Sequence, residues 1–156
     1  MASKVKVGGR APGFTLTRDG GSEVSLADYR GRKLVLYFYP KADTEGCTKE
    51  AIDFSRLAPA FAKAGTAVLG VSADPVPKLD KFKAKHDLSV ALGSDETHKV
   101  LNAYGVWAEK SLYGRKYMGV LRNTYLIDPD GRIAQVWEKV KVAGHAEEVL
   151  AAAKAL

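Results

Sequence analysis

The segment PKADTEGCTKEA brings together three residues that could do chemistry, namely Pro40, Thr44 and Cys47, the only cysteine of the chain. It follows the strand-like run KLVLYFY (33–39) and begins a helical pattern, so Cys47 falls in the first turn of a predicted helix with Asp43 or Thr44 as N-cap. Unpaired backbone N–H groups and the helix dipole stabilise a thiolate there. The position therefore favours a nucleophilic sulfur.

A helix end alone is too weak to keep a thiol ionised, because its effect is about 0.3–1 kcal/mol, or about 2 kcal/mol when partly buried. A reactive thiolate also needs a nearby cation. Arg122, which precedes the strand pattern NTYLID, competes for this role with Arg115, Lys116 and Lys49. The alternative is a purely structural role, in which Cys47 packs as a small buried hydrophobic residue.

Other cysteine and cofactor chemistries lack their residues. A tyrosine phosphatase needs an arginine six residues after its cysteine, where this chain has Asp53. A cysteine hydrolase needs a histidine base, but His86, His98 and His145 lie in predicted helices with no oriented partner in the sequence. The segment DPDG lacks the other ligands of a calcium loop, and no P-loop or paired metal-ligand motif is present. We expect neither cofactor nor metal.

Two buried strands, KLVLYFY (33–39) and TAVLGVSAD (66–74), flank the helix that begins near Cys47 and imply a right-handed crossover. An apolar stripe marks its core face, with a polar set off the stripe: Cys47, Ala51, Phe54, Ala58 and Phe61, against Lys49, Glu50, Asp53 and Arg56. Pro59 predicts a kink or break near residues 55–58, after which the helix resumes towards Lys63 and stops at Gly65.

The rest of the chain continues the alternation of helix and strand. PVPKLDKFKAKHD and ETHKVLNAYG, the latter closed by Gly105, read as helices around the short strand SVALGS. NTYLID and RIAQVW form a predicted hairpin around PDG, and a last helix spans roughly His145 to Ala155. With GFTLTRDGGSEVSL as an N-terminal β-hairpin at an edge, the pattern predicts an α/β fold, a three-layer α/β/α sandwich with a mixed central sheet.

Length, composition and charge indicate the number of domains, the cell compartment and the classes of partner. A chain of 156 residues with 46% hydrophobic residues suits one domain, residues 1–156, with its own core. A single cysteine makes no intrachain disulfide or zinc cluster. The N-terminus lacks a signal peptide and no apolar run is long enough to span a membrane, so we expect a cytoplasmic protein with no membrane partner. The lysines of KLDKFKAKHD suit a solvated helix face, so no nucleic-acid partner is expected despite the net charge of +6.

Pro, three residues, Thr, two residues and Cys, here Pro40, Thr44 and Cys47, resemble the active site of peroxiredoxins. From about residue 8 onwards the chain is similar to the bacterioferritin comigratory protein branch, or PrxQ, in VLGVSAD, YGVWAEKSLYGRKYMG and RNTYLIDPDG. The resemblance implies a thioredoxin-like fold and reduction of hydrogen peroxide and organic hydroperoxides by Cys47 as peroxidatic cysteine. It also implies Arg122 as the cation, Thr44 as a donor and Pro40 as a shield against water.

The chain departs from its branch at Ile52, where many members carry a resolving cysteine five residues after the first. A sulfenic acid at Cys47 must then meet a thiol of another molecule, which predicts a one-cysteine cycle served by thioredoxin, glutaredoxin or a small thiol. A peroxide sensor and a non-catalytic thioredoxin-like binding module are the alternatives. Glu50 is expected to be an exposed helical glutamate, with a place in a local hydrogen-bond network of this branch as the alternative. We expect a monomer, with a dimer as the alternative.

Overall fold

The run KLVLYF forms β3 (Lys33–Phe38), the central strand of a sheet, in a computed structural model that describes residues 5–156. Its side chains are buried from Leu34 onwards, and they alternate between two cores. Leu34 and Leu36 pack into one hydrophobic cluster, whereas Val35 and Tyr37 pack into the other. The absence of a polar face along β3 is therefore explained by cover on both sides of the sheet.

Eight further strands lie within residues 5–156: β1 (Thr15–Arg18), β2 (Glu23–Ser25), β4 (Thr66–Ser72), β5 (Ala91–Ser94), β6 (Trp107–Leu112), β7 (Arg115–Val120), β8 (Thr124–Ile127) and β9 (Ile133–Trp137). Seven of the nine make one sheet in the order β2-β1-β5-β4-β3-β8-β9. The neighbours β3, β4 and β5 are parallel, and the remaining pairs are antiparallel. The sheet is mixed, and the N-terminal hairpin β1–β2 lies at its edge, as predicted.

Four α-helices cover the sheet: α1 (Glu45–Lys63), α2 (Val76–His86), α3 (Lys99–Ala103) and α4 (His145–Ala155). Side chains of α1, α2 and α4 share the core of Val35 and Tyr37, while α3 packs into the core of Leu34 and Leu36. The three-layer α/β/α sandwich is thus confirmed. No helix of these residues has the length and apolar character that crossing a membrane requires.

Pro59 lies inside α1 without ending it, so the predicted break near residues 55–58 is wrong. Proline has no N–H to donate to the carbonyl four residues earlier, which belongs to Ser55. The hydroxyl of Ser89, just before β5, donates to that carbonyl at 3.2 Å, and the Ser89 backbone N–H donates to the Ser55 hydroxyl at 3.1 Å. A neighbouring segment therefore replaces the bond that Pro59 cannot make. The helix ends at Lys63, and Gly65 follows with a φ of +68°, as expected of a helix stop.

The strands β6 and β7 form a separate two-stranded hairpin that the sequence pattern does not predict. Tyr113 and Gly114 turn between them with φ values of +51° and +77°, the positive pair of a type I′ turn. Asn-Gly and Asp-Gly are the usual sequence signals of such turns, so the dipeptide Tyr-Gly does not predict one. The hairpin carries a group of exposed apolar side chains: Leu112, Tyr113, Tyr117 and Met118.

His145, the first residue of α4, is buried between the helices and the sheet. Its Nε2 lies 2.9 Å from the Thr124 hydroxyl, and its ring makes edge contacts with Phe54 and Trp137. Burial disfavours the charged imidazole and lowers the pKa of His145 from 6.5 to about 4. The folded protein therefore holds this histidine neutral.

The first prediction concerns Gly70 of β4, which pairs with Tyr37 of β3. A Cβ at position 70 would lie 2.5 Å from Cζ of the buried Tyr37 ring. Because the Tyr37 ring is fully buried and stacks on Phe54, Gly70→Ala should destabilise the protein by about 1–3 kcal/mol in urea unfolding. Gly13→Ala is the matched control, since nothing lies within 4 Å of its added Cβ. Equal stability of the two variants would contradict the packing described here.

The second prediction concerns acid stability. Between pH 6.5 and 4 the unfolded chain protonates His145 while the folded chain does not, so the free energy of unfolding falls as the pH falls through this window. The lowered pKa of His145 corresponds to a decrease of about 1–3 kcal/mol in the free energy of unfolding across this window. Urea unfolding at the two ends of the window should show a smaller loss for His145→Gln than for the wild type. His98→Gln is the control and should lose as much unfolding free energy between pH 6.5 and 4 as the wild type does. An equally large loss in His145→Gln would contradict this role of His145.

Candidate active site

The loop between β3 and α1 is fixed at several points. The Ala42 N–H donates to the buried Asp74 carboxylate at 2.8 Å. Asp43, with a φ of +62°, accepts from Lys85 at 2.9 Å and lies 2.8 Å from Nε2 of His86, both on the last turn of α2. These bonds tie the loop that precedes α1 to Asp74 and to the last turn of α2.

Thr44 is the N-cap of α1, one of the two predicted candidates, but its hydroxyl does not cap the helix. Instead it donates to the Lys41 carbonyl at 2.7 Å. The helix starts at Glu45, which places Cys47 in the first turn, where backbone N–H groups lack helical acceptors. Pro40 lies half-buried in the bend directly after Tyr39.

Arg122 is the cation that the structure brings to Cys47. Its Nη2 lies 3.4 Å from the sulfur, and its Nη1 donates to Oε1 of Glu50 at 2.7 Å. Cys47 and Glu50 are each only 1% exposed, and they lie three residues apart, on one face of α1. One guanidinium therefore serves two buried acidic groups.

The fold holds Arg122 in this position through its neighbours. The backbone N–H of Phe38 in β3 donates to the Asn123 carbonyl at 2.8 Å, and the Arg122 carbonyl accepts from Val140 at 2.8 Å. Gly46 lets the guanidinium approach α1, because a Cβ there would lie 3.1 Å from Nη2. The Arg122 segment is thus bonded on both sides before its side chain reaches the helix.

The two ends of the ion pair respond to burial in different ways. Burial is the largest effect on Glu50 and raises its pKa from 4.5 to about 7, although Arg122 acts in the opposite direction. Burial also disfavours the charged Arg122, but Glu50 and Cys47 outweigh it and raise the pKa of the guanidinium. Glu50 is the more deeply buried partner, with 1% of its side chain exposed against 17% for Arg122, so its loss of solvation dominates.

The competing cations lie elsewhere. Arg115 and Lys116 are exposed on β7, and Lys49 faces solvent and pairs with Asp53 at 3.5 Å. The three histidines also have other surroundings: His86 contacts Asp43, His98 stacks on Trp107 and His145 contacts Thr124. Ile52, the position of the missing second cysteine, is 41% exposed on the same helix as Cys47.

Two site residues are not predicted by the sequence pattern. Glu50 is buried rather than exposed, because it lies three residues after Cys47 and four before Phe54, a spacing that belongs to the apolar stripe. That spacing is the signal that could have identified it. Lys110 of β6 lies close enough for Arg122 and Cys47 to influence its pKa, which burial lowers. It comes from the unpredicted hairpin.

Below Glu50 lie the buried aromatic rings of Tyr37 and Tyr39. Tyr37 stacks on Phe54 with ring centroids 4.6 Å apart. Burial raises the pKa of Tyr37 well above its usual value, with Tyr39, Glu50 and Cys47 adding to the effect. The floor of the site is therefore aromatic, and the buried hydroxyls of Tyr37 and Tyr39 have no hydrogen-bond partner among residues 5–156. In residues 5–156 no group of three His, Cys, Asp or Glu side chains is arranged to hold a metal ion.

Residues 7–136 match the model of the AhpC/TSA family. The putative peroxiredoxin bcp of Coxiella burnetii is 49% identical over 146 residues, covering 94% of this chain and 97% of that protein. Peroxiredoxin Bcp of Bacillus subtilis is 45% identical over 146 residues, covering 94% and 93%. A solved structure of the Xanthomonas campestris bacterioferritin comigratory protein, from work on its alkyl peroxide reduction activity, superposes with a TM-score of 0.88 at 42% identity, covering 99% and 98%.

The site geometry predicts that Arg122→Gln slows the oxidation of Cys47 by hydrogen peroxide, because the variant lacks the guanidinium that lies 3.4 Å from the sulfur. Loss of an adjacent cation should lower the second-order rate constant by about tenfold or more. Stopped-flow mixing of the reduced protein with hydrogen peroxide measures this rate constant. Arg115→Gln removes an exposed guanidinium and is the matched control. Equal rate constants for the two variants would show that Arg122 does not assist the reaction of Cys47.

Proposed function

Because this chain belongs to the AhpC/TSA family and is a peroxiredoxin of the Bcp branch with a thioredoxin fold, we propose that Cys47 is its peroxidatic cysteine. The observation that carries the proposal is the 3.4 Å contact between the buried sulfur of Cys47 and Arg122. A buried sulfur gains a guanidinium partner only at a cost in solvation that an inert core cysteine would not require.

In the proposed reaction the Cys47 thiolate attacks one oxygen of the peroxide. An S–O bond forms while the O–O bond breaks, so that sulfur is oxidised by two electrons and the second oxygen leaves as hydroxide or alkoxide. Negative charge thus moves from sulfur to the leaving oxygen. Arg122 and the backbone N–H of Cys47 would stabilise that charge as it moves, which lowers the barrier rather than merely holding the substrate.

Thr44 and Pro40 would complete the site in different ways. The Thr44 hydroxyl already donates to the Lys41 carbonyl, so it is not free for the donor role that the resemblance implies. Its lone pairs can instead accept a hydrogen bond from a hydroperoxide O–H. Pro40 has no N–H and would limit access of water to the sulfur, which strengthens the charge interactions of Arg122. We assign both residues to substrate orientation rather than to bond making.

The chain has one cysteine, so we propose a one-cysteine cycle. The sulfenic acid of Cys47 condenses with a thiol of another molecule and releases water, and a second thiol then displaces Cys47 as thiolate from the mixed disulfide. Cys47 is 1% exposed, so the first turn of α1 would have to open before a protein thiol could reach it. Thioredoxin, glutaredoxin or a small thiol would supply the electrons.

We propose hydrogen peroxide and organic hydroperoxides as substrates of a single domain that acts as a monomer. The exposed apolar side chains of the β6–β7 hairpin, which also carries Lys110 beside the site, favour the organic class. A binding module without catalysis would have no use for a cation held 3.4 Å from a buried sulfur. A peroxide sensor would share the oxidation step and differ only in slow recycling by thiols.

The proposal predicts that Cys47→Ser abolishes thiol-dependent peroxide consumption, because the hydroxyl is a far weaker nucleophile than a thiolate. Consumption should fall by about a thousandfold or more, to the rate of the uncatalysed reaction. Ile52→Ser, an exposed change on the same helix, is the control and should keep its activity. Mass spectrometry after brief exposure of the wild type to peroxide should find one added oxygen on Cys47. Activity that survives in Cys47→Ser would overturn the proposal.

A further inference from the structure

We propose that Glu50 stores a proton while Cys47 is a thiolate and releases it when the sulfur is oxidised, so that Arg122 always faces one negative charge. This inference rests on the proposed function and extends it to the proton that the reaction consumes. Glu50 does not touch the reacting sulfur in the structure. It acts through Arg122 and is therefore a positioning residue.

The geometry favours a neutral carboxyl. Only one oxygen of Glu50 has a partner: Oε1 accepts from Arg122 at 2.7 Å, whereas Oε2 is buried and has no hydrogen-bond partner among residues 5–156. An ionised carboxylate would leave full charge on an oxygen without a donor, which is costly in an apolar site. A protonated carboxyl keeps the bond from Arg122 and lowers this cost.

The charges around Glu50 lead to the same conclusion. Asp53, one turn later on α1, is acidic and disfavours ionisation of Glu50. The rings of Tyr37 in β3 and of Tyr39, which directly follows β3, supply no positive charge. Arg122 and, beside Cys47, Lys110 are the cations facing the site, but Lys110 acts on Cys47 and Arg122 rather than on Glu50. Burial raises the pKa of Glu50 to about 7, which allows either state at physiological pH.

Oxidation of Cys47 changes this balance. A thiolate and Arg122 form a neutral pair in which a protonated Glu50 fits. When the thiolate becomes a neutral sulfenic acid, Arg122 is left without an anion, and ionisation of Glu50 restores the pair. The released proton balances the hydroxide or alkoxide that leaves the peroxide, giving water or alcohol. Displacement of Cys47 as thiolate by the second thiol returns a proton to Glu50, and the cycle closes.

Proton counting during a single oxidation tests this inference. Reduced protein in weakly buffered solution at pH 6.5 is mixed with hydrogen peroxide, and an indicator dye reports protons taken from the solvent. In Glu50→Gln the leaving hydroxide must take its proton from the solvent. One proton should therefore be taken from the solvent for each Cys47 that is oxidised. The wild type should remove well under one, and its count should rise towards one as the pH increases through about 7, where Glu50 is already ionised.

Glu45→Gln, which removes an exposed carboxylate from the first turn of the same helix, should behave as the wild type. Equal proton counts in the wild type and Glu50→Gln would overturn the inference. Infrared difference spectra of the wild type give a second measurement that needs no variant, because the band of a protonated carboxyl must disappear on oxidation, and an unchanged band overturns the inference. Mass spectrometry separates the two failures: a Cys47 that hydrogen peroxide does not oxidise refutes the proposed function itself.

Discussion

The Arg122 guanidinium, shared between the sulfur of Cys47 and the carboxyl of Glu50, is the interaction on which the site depends. Both acidic groups lie in the core on one face of α1, where either would be destabilising as an unpaired charge. Arg122 contacts both groups and offsets the cost of burying their charge. Arg122 also couples the two groups, because a change of charge on one of them alters the electrostatic interaction of Arg122 with the other.

The rest of the fold serves to keep these three groups together. The connection from β3 into α1 places the start of the helix at the C-terminal end of β3. The antiparallel neighbour β8 begins at that same end, so Arg122, which precedes β8, lies close to the helix. The bond from Phe38 to Asn123 fixes the segment, and the absence of a side chain at Gly46 lets the guanidinium approach. The stacked rings of Tyr37 and Phe54 lie in the core that buries Glu50. Strand order and a single glycine thus matter as much as the acidic groups.

Much of this architecture is encoded locally and can be predicted from the sequence. The buried strand β3, the start of α1 ahead of Cys47 and the hairpin β8–β9 follow from periodicity and turn residues, because each depends on neighbours in the chain. The features that local rules miss depend on distant partners. Ser89 bonds the helix carbonyl that Pro59 leaves without a donor. Arg122 is one of four candidate cations in the sequence, and local pattern does not distinguish it from the others. The charge of Glu50 favours the solvent face, whereas its spacing from Cys47 favours the core, where the structure places it.

The bonds from Asp43 to Lys85 and His86 have a consequence for the timing of the cycle. A peroxide is small enough to enter a closed site, whereas a reducing protein is not, so the two half-reactions meet different obstacles. In the proposed cycle, exposing the sulfur to a protein thiol would require this loop to leave the end of α2, a step separate from the chemistry at Cys47. The contacts of Asp43 with Lys85 and His86 would then contribute to the lifetime of the sulfenic acid, and with it to the exposure of the sulfur to a second, irreversible oxidation.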